Sequence, residues 1–118
     1  MRDEEHHIQA ACVRWFRYQY PSMAHSLFAV PNGGRRDAAT GARLKDEGVL
    51  PGVSDLIMLR PNDQSHALLI EMKTRAGRQS PSQKQWQAKV EEDGYKYVVC
   101  HSLEEFMKTI NDYLTTPQ

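Results

Sequence analysis

"GVSDLIML" (residues 52–59) and "LLIEMKTR" (residues 68–75) decide how this chain is read. Each reads as a β-strand, yet each carries charge where the core strand of a small domain is expected to be apolar. The polar stretch between them, "RPNDQSH", has a length suited to the turn of an antiparallel hairpin. Side chains alternate along a strand, so Leu69, Glu71 and Lys73 share one face while Ile70 and Met72 take the other. Asp55 begins the first strand, next to the turn-forming "PGVS". Pairing through the polar turn brings the far ends of the two strands together, and Asp55 then approaches Glu71 and Lys73. Two carboxylates and an ammonium at one sheet end are expensive to desolvate unless something compensates. A divalent cation does so, and Mg²⁺ favours one or two carboxylates completed by water and phosphate oxygens. A lysine beside it can orient or deprotonate a water and offset developing negative charge. A surface Glu–Lys pair and a turn aspartate would explain each residue singly, but not the three together.

Outward from this pair, the rest of the chain supplies helices. Ile8, Ala11, Cys12, Trp15 and Phe16 recur at the spacing of one buried helical face, with Asp3 as the expected cap. Glu5 lies along that same face one turn toward the N-terminus, an unusual place for a carboxylate unless the helix dipole alone favours it. "SLFAVPN" is a short strand ended by Pro31, "PNGGRR" is a turn, and Asp37 through Glu47 form a polar helix stopped by Gly48. After the two charged strands and the basic loop "TRAGRQ", Ser80, Pro81 and Gln83 mark a helix start with a capping box, and Gly94 ends that helix. "YKYVVC" is a strand, Ser102 and Glu105 suggest a second capping box, and a last helix carries Leu103, Phe106, Ile110 and Leu114 before the tail at residues 115–118. The long crossover from the Glu71 strand through a helix to Tyr95–Cys100 predicts parallel pairing of those strands. The expected fold is α/β, a small mixed sheet with helices on both faces, in one domain over residues 1–118.

Bulk properties fit that picture. The chain has 118 residues, is 40% hydrophobic and 25% charged, and carries a formal net charge of zero. Its size allows one real core without staples. No apolar run approaches a membrane span, and "MRDEEHHIQA" lacks the apolar segment of a secretory signal, which points to the cytoplasm. Cys12 and Cys100 have no CxxC spacing and read as buried structural thiols. Zero net charge argues against simple electrostatic adhesion to nucleic acid. Basic residues nevertheless outnumber acidic ones between Arg35 and Lys84, so a basic face beside an acidic pocket is compatible with the total.

Taken together, "PGVSDL", "IEMK" and "SPSQ" resemble the signature of the PD-(D/E)xK nuclease superfamily. More narrowly, the chain is similar to stand-alone virus-type replication–repair nuclease (VRR-NUC) domains of phage and prophage type. The resemblance runs from "EEHHIQAACVRWF" to "GYKYVVC", with Ser54 standing where the superfamily pattern has proline. It implies a restriction-endonuclease-like fold with an αβββαβ core. By position it implies that Asp55 and Glu71 bind catalytic Mg²⁺ or Mn²⁺ with the Met72 carbonyl, that Lys73 assists the attacking water, and that Glu5 completes the metal site. Gln83 would touch the lysine or the water, and Gln9 resembles a further family glutamine. Glu4, the rival of Glu5, points about 100° away on the helix.

Arg35, Arg36, Lys45 and Arg75 are the candidate nucleic-acid contacts. His6 and His7 are adjacent on a helix and cannot both face one site, so zinc is not expected. Trp86 reads as core rather than as a platform for a base. The activity these resemblances imply is metal-dependent hydrolysis of DNA phosphodiester bonds, with branched DNA, the four-way (Holliday) junction first, as substrate. Symmetrical cutting of a junction calls for two active sites, hence a homodimer, in a bacterial host cell. The alternatives are a flap or linear-duplex nuclease on the same fold, or a nucleic-acid-binding module without catalysis.

Overall fold

A computed structural model describes residues 3–31 and 37–115. Its elements follow the expected order: α1 (Asp3–Gln19), β1 (Leu27–Ala29), α2 (Ala38–Asp46), β2 (Leu56–Met58), β3 (Leu68–Met72), α3 (Pro81–Glu92), β4 (Lys96–Cys100) and α4 (Leu103–Thr115). A short 3-10 helix, Pro21–Ser26, joins α1 to β1 and has no counterpart in the sequence reading. The four strands form one sheet in the order β1-β2-β3-β4. β1 pairs with β2 and β2 with β3 antiparallel, while β3 and β4 run parallel, with Glu71 opposite Val99. The fold is therefore a mixed α/β sheet flanked by helices.

Strand alternation sorts the side chains into two layers. Leu56, Met58, Leu68, Ile70 and Met72 point to one face and pack with Cys12 and Phe16 of α1 and with Phe106, Ile110 and Tyr113 of α4. Leu69 and Tyr97 take the opposite face, where Trp86 of α3 meets the Tyr97 ring edge-on at 6.1 Å. Trp86 is thus a half-buried packing residue, and both cysteines are free, buried thiols in the core. Burial pushes the Cys12 thiol up to about 12, which keeps it protonated and inert.

Three local expectations change. α1 already includes Asp3, which lies in its acidic first turn with Glu4 and Glu5 rather than before the helix. At the start of α4, Glu105 accepts from the His101 amide (2.8 Å) instead of the Ser102 amide, although Ser102 Oγ does accept from the Glu105 amide (3.1 Å). α4 also takes in Thr115, the first residue of the expected tail, whose hydroxyl donates to the Asp112 carbonyl at 3.1 Å. The α3 start is as expected: Ser80 and Gln83 form a reciprocal capping box with Pro81 in the first turn.

Candidate active site

The charged residues of the hairpin meet at the end of the sheet where β2 begins and β3 finishes. Asp55 stands one residue before β2, with its carbonyl accepting from the Val30 amide at 2.8 Å. Its side chain turns toward β3, and the Met72 amide donates to Asp55 Oδ2 at 2.8 Å. Ser54, fully buried, anchors the approach by donating from its hydroxyl to the Leu56 carbonyl at 3.2 Å. Lys73 lies just beyond β3, and its amide continues the ladder by donating to the Cys100 carbonyl. As alternation requires, its side chain lies on the Glu71 side, with Lys73 Nζ 3.7 Å from Glu71 Oε2.

Glu71 is only 2% exposed, one residue before the end of a strand that is buried along its whole length. Its Oε2 meets Lys73 and the Gln83 side chain, which donates from Nε2 at 3.1 Å, and the Asp55 side chain also bears on its carboxyl. Its Oε1 is buried with no hydrogen-bond partner. Burial first, and then the negative charge of Asp55, push the Glu71 carboxyl up from 4.5 to about 8, with Lys73 opposing and Glu5 adding to the rise. Such a group is costly for folding alone, and strongly perturbed carboxyls concentrate at functional sites.

Gln83 has two roles that the sequence leaves as competitors. Its Oε1 accepts from the Ser80 amide at 2.8 Å while its Nε2 reaches Glu71. One amide caps the helix and touches the site, and the contact is to the glutamate rather than to the lysine. Gly52 holds this arrangement together from outside. Its φ is +89°, and a Cβ there would stand 2.5 Å from the Ser82 carbonyl oxygen, so the Pro51–Gly52 turn lies flush against the first turn of α3.

These residues line a cavity of about 480 Å³ that also takes in Glu5 and Lys45. Glu5 is half-buried and Glu4 exposed. The charge of Glu5 is felt at Glu71, yet among the described residues no three His, Cys, Asp or Glu side chains stand close enough together to hold a metal ion. Gln9, one turn beyond Glu5, has its Oε1 buried without a partner. Met72 contributes its amide, as above, while its side chain is in the core.

Arg75 lies elsewhere: it is exposed beside His101, Ser102 and Glu105 in a separate small cleft, where the His101 amide first, with Arg75 adding a little, holds the Glu105 carboxyl below the usual range. Arg35 and Arg36 lie outside the described residues. His6 and His7 are exposed. The sequence reading missed the apolar part of the cavity lining, Leu44 and residues 49–53. Its signal was the run "VLPGV" between a polar helix and Asp55.

The family model for the VRR-NUC domain matches residues 3–104, which takes in all of these site residues. The chain belongs to the VRR-NUC family. It is thereby a nuclease domain of the virus-type replication–repair class. A solved structure described as a VRR_NUC domain protein superposes with a TM-score of 0.85, covering 97% of this chain and 90% of that one at 23% identity. At that identity the likeness speaks for the fold. No curated protein sequence matches the chain. No helix among the described residues is long and apolar enough to cross a membrane.

Proposed function

We propose that this VRR-NUC domain is a divalent-metal-dependent endonuclease that hydrolyses phosphodiester bonds in branched DNA, the four-way junction first, and acts as a homodimer. The observation that carries the reading is the bare, buried Oε1 of Glu71, beside the Asp55 charge, on a carboxyl raised to about 8. The donor set fits a hard cation. Asp55 and Glu71 supply two carboxylates, and the remaining positions fall to water and phosphate oxygens, as Mg²⁺ or Mn²⁺ prefers. Glu5 approaches from α1 as an outer carboxylate. A bound cation supplies Lewis-acid polarisation of the phosphate and a more acidic water.

The protein's own contributions follow from the contacts. The Met72 amide fixes one Asp55 oxygen, and Gln83 fixes one Glu71 oxygen, so both carboxylates are oriented before any ligand arrives. Lys73, with its side chain 15% exposed, reaches the cavity and offsets charge on the phosphate as the bond to the leaving oxygen breaks. Its ammonium also orients the attacking water. Lys45, on the exposed side of the same cavity, is placed to meet a phosphate along the strand.

Homodimer formation is supported by an apolar groove on the α3 face of the sheet. Ile57, Leu69, Trp86 and Val90 line it with Leu59 and Tyr95, which are 61% and 36% exposed, and no lining residue is charged. A second copy related by a two-fold axis would present the same uncharged surface in return. The test sets end-labelled four-way junction, flap, linear duplex and single strand side by side with Mg²⁺, Mn²⁺ or EDTA. Paired cuts near the junction centre that require the cation are expected. Faster cutting of linear duplex would favour the duplex nuclease, and binding without cutting would make the domain a recognition module.

A further inference from the structure

The cavity at Asp55 and Glu71 is not lined by charge alone. Leu44 of α2 and Val49, Leu50, Pro51 and Val53 of the following loop share its lining with the carboxylates and lysines. Leu50 is 53% exposed, one of few large apolar side chains left so open among the described residues. Phosphodiester hydrolysis itself needs none of these five residues, and holding them at the mouth of a charged site leaves apolar surface in water. We propose that this apolar wall receives the base or deoxyribose of an unpaired nucleotide next to the scissile phosphate, so that the domain selects DNA whose strand is unstacked at the cut. This deepens the nuclease reading above and rests on it.

The rest of the lining identifies the occupant. Lys73 and Lys45 share the lining with Glu5, Asp55 and Glu71, so a phosphate held by the lysines and a cation on the carboxylates would bring its own sugar or base against the leucine and valine side chains. The cavity, about 480 Å³, falls within the range of about 300–1,000 Å³ typical of clefts that enclose a small ligand. A stacked duplex keeps its bases inside the helix, and a base enters a concave pocket only when extruded or already unpaired. Branch points and flaps supply such nucleotides at the lowest unstacking cost, whereas continuous duplex does not. The wall therefore gives the site a reason to prefer branched DNA that the catalytic residues lack.

Gly41 offers a clean way to close the pocket. It lies within α2 and lines the cavity, and a Cβ added there meets nothing within 4 Å. A side chain can therefore start from residue 41 without a clash at its Cβ, Gly41→Leu adds apolar bulk to the cavity lining, and replacing a mid-helix glycine favours the helix. The experiment places 2-aminopurine in turn at each nucleotide flanking the branch point of a four-way junction and of a flap. Each DNA is mixed with protein in Ca²⁺, and fluorescence reports unstacking without requiring cleavage. The wild-type protein is expected to raise the signal several-fold at one position, and Leu50→Met to retain the rise. Gly41→Leu and Leu50→Ser should lower occupancy of the unstacked state roughly tenfold, as loss of about one buried apolar side chain implies. An undiminished rise in folded Gly41→Leu protein would overturn the proposal, as would wild-type cleavage of these substrates with no rise at any position. A wild-type protein that neither binds nor cuts DNA with any cation would instead bring down the nuclease reading beneath it.

Discussion

Replacing Glu71 by glutamine should make this protein more stable and its site inactive. In the folded chain the Glu71 carboxyl titrates at about 8 instead of 4.5, chiefly because it is buried and secondarily because Asp55 is charged. A raised folded value means that the native state binds the proton more tightly than the unfolded chain does. The associated stability is fully present below pH 4.5, declines as pH rises, and is lost once the pH passes about 8. At about 1.36 kcal/mol per pH unit, the ceiling on this loss is roughly 5 kcal/mol. Glutamine does not titrate, and the raised value already includes the attraction of Lys73, so the stability gap should grow from near zero at pH 5 to at most roughly 3–4 kcal/mol at pH 8. Urea unfolding of both proteins at pH 5 and pH 8, without divalent cations, measures the gap directly. Adding Mg²⁺ at pH 8 should narrow it by stabilising the wild type alone. A Glu71→Gln protein no more stable than wild type at pH 8, or a gap independent of pH, would refute the argument that Glu71 is a strained carboxyl kept for function.

Other consequences can be checked separately. Gly52→Ala, at φ +89° and with its Cβ 2.5 Å from the Ser82 carbonyl oxygen, should destabilise by roughly 2–4 kcal/mol in thermal or urea melts. Gln83→Glu keeps an acceptor for the Ser80 amide but faces Glu71 with a second carboxylate; single-turnover cleavage should fall at least roughly tenfold while the helix cap survives. Leu59→Glu puts a charge into the apolar groove and should shift the solution mass measured by light scattering from dimer to monomer.

Much of this was legible in the residues because the hairpin carries its own register. Once "RPNDQSH" is taken as the turn, alternation alone puts Glu71 and Lys73 on one face and Asp55 at the same sheet end, and the ladder bears this out. The parallel β3–β4 pair followed from the length of the crossover. The hidden parts depend on chain segments that meet only in three dimensions. Nothing in "PGVS" says that Gly52 will lie against Ser82, or that the Met72 amide will hold Asp55. The dual contact of Gln83 was obscured because a capping box already explains a glutamine there. The position of Arg75 was equally hidden: beyond Lys73 it lines a separate small cleft with His101, Ser102 and Glu105 rather than the cavity.

The most direct test of the central claim is the single-turnover cleavage rate of Lys73→Ala against wild type. It would use the branched DNA that wild type cuts best, saturating Mg²⁺, and proteins matched for folded fraction. Lys73 is the cation that meets Glu71 and faces the cavity, so its loss is predicted to lower the rate by roughly 10²–10⁴-fold while DNA binding in Ca²⁺ changes little. Wild-type cleavage by folded Lys73→Ala protein would contradict the assignment of Asp55, Glu71 and Lys73 as the hydrolytic centre.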